Sequence, residues 1–141
     1  MSAIRGILSI ATVLAMVAGA SAEGNLASQP TELEPLMMSG RELSFSIKEY
    51  TLETGKYYKW HIESDGLEEF RVNAPELWRA SWINQIVIND IEVKPLGSIY
   101  GVEFDDEGGA DIFFIPLLPG NYEFSAPGFE DNGMVGTFIV R

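Results

Sequence analysis

Cysteine is absent from this chain, and histidine occurs once among its 141 residues. Without a thiol, the chain can form neither a disulfide nor a thiolate bond to a metal ion. A single histidine, His61, with no cysteine to accompany it, also excludes the usual zinc sites. The fold must therefore be stabilised by packing, and a chain of this length can bury a core without cross-links.

Basic residues are also scarce, with 9 Lys and Arg against 21 Asp and Glu and a net charge of −12. Nucleic acid and anionic membrane surfaces both attract positive charge, so neither is expected as a partner. The acidity fits solubility in an exported compartment, or a cationic partner protein.

The N-terminal residues 1–22 have the pattern of a secretory signal peptide. Arg5 supplies a positive charge, residues 6–19 are almost wholly apolar, and residues 20–22 form a small-x-small cleavage site. The apolar run is too short for a spanning helix, so no membrane span is expected after cleavage. The alternative is an uncleaved N-terminal anchor. A cleaved signal predicts a periplasmic or secreted protein.

Residues 23–41 carry two prolines, scattered acids and no periodicity, and are predicted to be a leader. From residue 42 onward apolar and polar residues alternate, as in half-buried strands, and Pro75 is placed to begin a short helix over residues 75–82. Strands are predicted at 43–48, 58–63, 69–73, 86–93, 98–104, 112–115, 122–124 and 135–140. Seven or eight short strands with one short helix predict an all-β sandwich or barrel of Greek-key type over residues 42–141.

The C-terminal residues carry the sharpest motif. It reads Pro119-Gly120-x-Tyr122-x-Phe124, then Pro127-Gly128, then Gly133-Met134-x-Gly136, and closes with Phe138-Ile139-Val140. Upstream stands Glu69-Phe70-x-Val72-x-Ala74-Pro75-Glu76-Leu77. Together these motifs resemble the cupredoxin family, the small blue-copper electron carriers, over residues 43–140.

The resemblance implies where the copper ligands would stand. A type 1 site takes two histidines, one cysteine and a weak axial methionine. The first histidine position falls at Glu69, the cysteine position at Ser125 or Ala126, the second histidine position at Phe129 and the axial position at Met134. Only Met134 matches. The resemblance therefore implies a cupredoxin fold without type 1 copper or any other cofactor, in which Phe129 forms an apolar plug where the ion would sit.

Two alternatives involve a metal ion. Glu69, Met134 and the pair Glu130 and Asp131 would supply oxygen and thioether ligands for another cation, or the protein would be a copper carrier with atypical ligands. Against this, Met134 is also interpreted as a packing residue and Glu69 as a solvated acid. The acidic turn 105–107 lacks the alternating oxygen spacing of a calcium loop and is interpreted as a charged turn.

No enzyme template fits the chain. It has no nucleophile elbow, no glycine-rich phosphate loop and no histidine-based triad. We therefore expect a non-enzymatic accessory or protein-interaction subunit of a periplasmic redox or metal-handling system. Trp78, Trp82 and Phe129 are the candidate partner-binding residues, because exposed tryptophan is enriched at binding hot spots. The alternative is that both tryptophans pack under the crossover segment.

Overall fold

The computed structural model describes residues 29–141, so the predicted signal peptide 1–22 lies outside the described residues. The twelve strands are β1 Thr31–Glu32, β2 Leu36–Ser39, β3 Ser44–Phe45, β4 Glu49–Leu52, β5 Tyr58–Ser64, β6 Phe70–Asn73, β7 Ser81–Ile88, β8 Ile91–Val93, β9 Gly101–Phe104, β10 Gly108–Pro116, β11 Gly120–Ser125 and β12 Val135–Val140. The helix α1 spans Pro75–Arg79, and a 3₁₀ turn spans Glu130–Asn132.

The strands form two sheets. The seven-stranded sheet runs β3-β2-β5-β10-β7-β8, with β1 beside β5, and the five-stranded sheet runs β4-β12-β11-β6-β9. The predicted all-β sandwich is confirmed. The strands outnumber the seven or eight expected because β1, β2, β4 and β8 have two to four residues each, too few for alternation to show clearly in the sequence.

Aromatic rings fill the space between the sheets. On β5, Tyr58, Trp60 and Ile62 are buried and alternate with more exposed residues, which follows the two-residue period of a strand. The Trp60 ring lies 5.6 Å from that of Phe124 and 5.0 Å from that of Phe138, both contributed by the opposite sheet. The central core is therefore a cluster of edge-to-face aromatic contacts.

The domain begins earlier than the sequence indicated. Within the predicted leader 23–41, β1 and β2 pair in parallel with β5, and Leu36 and Met38 are 0% and 2% exposed. This part of the leader prediction is corrected by the structure. The sequence shows no apolar–polar alternation for β2, because Met37, between the two buried residues, is also apolar. Pro35 also separates β2 from the residues before it.

Two further segments differ from the prediction. Of residues 43–48 only Ser44–Phe45 form a strand, since Leu43 adopts a left-handed backbone with φ of 50°. The strand Glu49–Leu52, which pairs in parallel with β12, was missed because its alternation covers only four residues.

The predicted strand 86–93 is a hairpin. Strands β7 and β8 are joined by Asn89 and Asp90, with φ of 47° and 65°, the two left-handed residues of a type I′ turn. Helix α1 ends at Arg79, so Trp82 belongs to β7. Over residues 29–141 no helix combines the length and apolarity needed to cross a bilayer.

Candidate functional site

The loop between β11 and β12 contains most of the former ligand positions, and its own backbone holds it closed. The N–H of Ala126 donates to the carbonyl of Met134 at 3.0 Å, and the N–H of Met134 donates to the carbonyl of Phe129 at 3.2 Å. The N–H of Gly128 donates to the Glu130 carboxylate at 2.7 Å. These bonds satisfy buried backbone groups and fix the position of Phe129.

The Phe129 side chain turns inward from this loop. Its ring lies 5.0 Å from the Phe70 ring at 72°, an edge-to-face contact, and Phe70 is 0% exposed. Phe129 itself is partly buried against the core. The position expected for the second histidine is thus occupied by an aromatic ring in contact with another aromatic ring.

The remaining loop positions are also apolar or turned away from solvent. Ala126 and Met134 are both 0% exposed, and Met134 belongs to the hydrophobic core. Ser125 is half-buried and lies in register with Asn73 on β6 and Val135 on β12. The thioether of Met134 therefore functions in packing.

Glu69, the residue before β6, does not point into the core. It is exposed, whereas the adjacent Phe70 faces the core, because successive strand residues point to opposite faces. Its carboxylate lies with those of Glu103 and Asp105, with oxygens within 4.8 Å of one another. A hydrogen bond with Glu103, together with the negative charges of Asp105 and Glu103, raises the pKa of Glu69 above its ordinary value.

Glu130 and Asp131 are not gathered with Glu69. Among residues 29–141, Glu69, Glu103 and Asp105 form the one group of three His, Cys, Asp or Glu side chains close enough to share an ion. An exposed acidic group of this kind is common without a metal ion.

His61 is also remote from the loop in the topology. It projects from β5 on the outer face of the seven-stranded sheet, whereas the loop joins two strands of the other sheet. Its Nδ1 lies 2.7 Å from Asp111, its cross-strand neighbour, and its Nε2 lies 3.4 Å from Glu63. The imidazole is thus engaged with carboxylates on its own sheet.

The two candidate tryptophans have different environments. Trp78, on α1, is 1% exposed and contacts the rings of Trp60 and Phe114 at 6.1 Å and 5.3 Å, so it is a core residue with no surface for a partner. Trp82 is 41% exposed and lines a groove of about 250 Å³ together with Leu96, which is fully exposed. Of the three predicted contact residues, Trp82 is the most exposed, Phe129 is partly buried and Trp78 is buried.

Sequence reasoning missed two residues at these sites. Phe70 is the side chain that meets Phe129, and the alternation of Phe70 with Arg71 and Val72 was the available signal for its inward orientation. Leu96 follows Pro95 in an irregular segment, and no periodicity points to it.

The arrangement of strands is that of copper proteins of known structure. Auracyanin from Roseiflexus castenholzii is 17% identical, with 81% of this chain and 98% of that chain covered and a TM-score of 0.53. Auracyanin A from Chloroflexus aurantiacus, described as a "blue" copper protein, is 13% identical, with 80% and 100% covered and a TM-score of 0.53.

A multicopper oxidase from Campylobacter jejuni is 12% identical, with a TM-score of 0.56, and the match covers 80% of this chain and 30% of that chain. This chain therefore corresponds to under a third of that oxidase. No protein-family model and no curated protein sequence matches the chain.

These likenesses, at identities this low, define the fold. The chain is a β-sandwich of the blue-copper type, and more particularly it has the cupredoxin fold, as the sequence motif predicted. A type 1 copper centre needs a cysteine thiolate, and the sequence contains no cysteine.

Proposed function

We propose that this protein is an exported, non-enzymatic cupredoxin-like protein without type 1 copper. It acts through protein–protein contact, as an accessory subunit of a periplasmic redox or metal-handling system. The observation that supports this most directly is the contact between the rings of Phe129 and Phe70. These two rings fill the ligand end of the fold, meaning the end that contains the former ligand positions Ser125, Ala126, Phe129 and Met134.

The chemistry of the surrounding positions agrees with this proposal. Ala126 has no side-chain ligand atom, Met134 is enclosed in the core, and Glu69 is exposed beside Glu103 and Asp105. Copper held by a thioether alone would lack the charged and imidazole ligands that give the site its affinity. Contact with another protein therefore has more support than electron transfer by a bound ion.

The surface around Trp82 is the contact region that we propose. The groove lies where α1 leads into β7, and Trp82 and Leu96 form its apolar walls. Arg79 lines the same groove and pairs with Glu76. A partly exposed tryptophan beside an arginine has the composition of a binding hot spot.

Quantitative co-purification from the native exported fraction tests this proposal. Wild type, Trp82→Ala and Leu67→Ala would be compared by mass spectrometry, Leu67 being an apolar residue at 59% exposure outside the groove. We expect a stoichiometric partner with wild type and Leu67→Ala, and its loss with Trp82→Ala. Recovery of all three proteins alone would contradict the proposal.

A titration with divalent cations separates this function from the metal-binding alternative. Calorimetry on wild type and Glu69→Ala should show no binding tighter than about 10 µM in either protein. Submicromolar binding that Glu69→Ala abolishes would establish the alternative instead.

A further inference from the structure

The last strand of the seven-stranded sheet is a short, exposed edge. Strand β8 pairs with β7 on one side, and within residues 29–141 no strand pairs with its other side. Ile91 and Val93 are 66% and 45% exposed. An edge that presents apolar residues and free backbone groups is a template for pairing with another strand.

The apolar residues of this edge continue the core-facing side of the sheet. Ile88 is in register with Ile91, and Ile86 with Val93, and residues directly opposite in an antiparallel pair share a face. Ile86 is 7% exposed and faces the core, so Ile88, Ile91 and Val93 lie on that same inner face where the core no longer covers them. The hairpin therefore carries an apolar strip with no cover within the described chain.

The turn fixes which backbone groups of β8 are free. A two-residue hairpin closes on a hydrogen-bonded pair, here Ile88 and Ile91, and hydrogen-bonded and non-hydrogen-bonded pairs then alternate. Val93 is thus also bonded to β7. The N–H and C=O groups of Glu92 and Lys94 point away from β7, in the plane of the sheet, towards its open edge.

We propose that a second copy of this chain pairs with the edge, β8 against β8 in antiparallel orientation, with Val93 opposite Val93 of the second copy. In this register Glu92 lies opposite Lys94 of the second copy, and two-fold symmetry repeats that pair. Each pair exchanges two backbone hydrogen bonds through the outward groups and sets opposite charges side by side.

Two sequence features favour the register centred on Val93 over the register centred on Glu92. Pro95 falls opposite Ile91 at a non-hydrogen-bonded position, where its missing N–H removes no bond. A register centred on Glu92 would instead place two glutamates directly opposite, which is unfavourable. Within one chain Lys94 Nζ lies 2.8 Å from the Glu92 carboxylate, and in this register each of these side chains also meets the opposite charge of the second copy. Charge complementarity therefore favours a second copy of this edge as the occupant, and Val93 and Ile91 gain apolar cover.

Charge-exchange variants test the register by sedimentation equilibrium. Interfaces this small are weak, and we expect a dimer with a Kd on the order of 10 to 100 µM. Glu92→Lys and Lys94→Glu should each weaken it about tenfold, because each replaces two attractive pairs by two repulsive ones. The double variant should return the Kd to within about threefold of wild type.

The controls separate this pairing from the effect of net charge. Glu92→Lys makes the acidic chain less negative, so a simple charge effect would strengthen association, whereas the register predicts weakening. Glu123→Lys, exposed on β11 of the other sheet, makes the same charge change and should leave the Kd unchanged. A monomer at every concentration, or weakening without rescue in the double variant, would overturn the proposal. Pro95 of this register also lines the Trp82 groove, so the two surfaces adjoin. Sedimentation of the purified chain alone measures the self-pairing without any partner protein.

Discussion

At the scale of single residues, Phe129 is the side chain on which the proposed loss of copper most depends. Its ring centroid lies 5.0 Å from that of Phe70, and the backbone of its own loop is held by hydrogen bonds. Phe129→Ala should lower the free energy of unfolding by about 1 to 3 kcal/mol, because it removes apolar contact and leaves a cavity. Urea denaturation measures this change.

The control for Phe129→Ala is the same kind of truncation at an apolar residue that is exposed to solvent. Leu118 is 58% exposed, and Leu118→Ala should change stability by less than about 0.5 kcal/mol. Equal effects of the two variants would mean that the Phe129 ring does not fill the ligand end.

Residue 136 must be glycine because the Phe124 ring lies against its backbone, where a side chain would otherwise begin. A Cβ at residue 136 would lie 2.1 Å from Cζ of Phe124, its cross-strand neighbour. Gly136→Ala should therefore destabilise the protein by about 1 to 3 kcal/mol in thermal or urea unfolding, since the ring must move within a filled core. Gly97→Ala, where nothing lies within 4 Å, is the neutral control. A stable Gly136→Ala variant would contradict the described packing.

Tyr50 gives the core a dependence on alkaline pH. Burial, with a smaller contribution from the charge of Glu34, raises the pKa of Tyr50 to about 12. The unfolded phenol ionises near pH 10, so this stabilisation is complete below that pH and is lost as the pH rises towards 12. We expect stability to fall by on the order of 2 kcal/mol across that window.

Tyr50→Phe is the variant that isolates this effect. The Tyr50 hydroxyl donates to the carbonyl of Glu34 at 3.0 Å, so the variant should lose about 1 kcal/mol at neutral pH. Its stability should then fall less steeply between pH 10 and 12. Parallel pH profiles for the two proteins would assign the alkaline loss to other groups.

At the scale of the elements, β2 tests whether the sheet begins before residue 42. Leu36 is 0% exposed and lies in register with Ile62 of β5. Leu36→Ala should cost about 2 to 4 kcal/mol in urea unfolding, as in other large-to-small changes within a core. Met37→Ala, next to it at 42% exposure, should cost less than about 1 kcal/mol. A neutral Leu36→Ala variant would restore the leader interpretation for this segment.

The elements that the sequence predicted well are those with long alternation. The residues 58–63 showed three apolar and three polar residues in strict turn, and β5 is the result. The segments 31–32 and 36–39 could not be found in this way, because each is too short for a period and takes its hydrogen bonds from β5. The hairpin turn at Asn89 and Asp90 was missed although the dipeptide lies between two apolar runs.

The sequence predicted the orientation of several candidate residues, whereas nothing in it placed them in contact. Glu69 and Met134 were interpreted as a solvated acid and a packing residue, and they are exposed and buried, respectively. The alternation of Phe70, Arg71 and Val72 indicated that Phe70 faces the core. The contact between Phe70 and Phe129 could not be predicted in this way, because it joins β6 to a loop that is distant in sequence.

At the scale of the whole molecule, the fold and the ligand chemistry are separate properties. The sandwich owes its stability to rings from both sheets around Trp60. These ring contacts involve none of the former ligand positions. Such a fold can keep its shape while its ligand positions change.

Copper binding by the purified protein decides whether this fold lacks a type 1 site. Cupric and cuprous ions would be titrated separately, with absorption spectroscopy and elemental analysis after gel filtration. We predict no intense visible absorption, less than about 0.1 copper per chain, and no affinity tighter than about 10 µM for either ion. One tightly held copper per chain with intense colour would contradict the account.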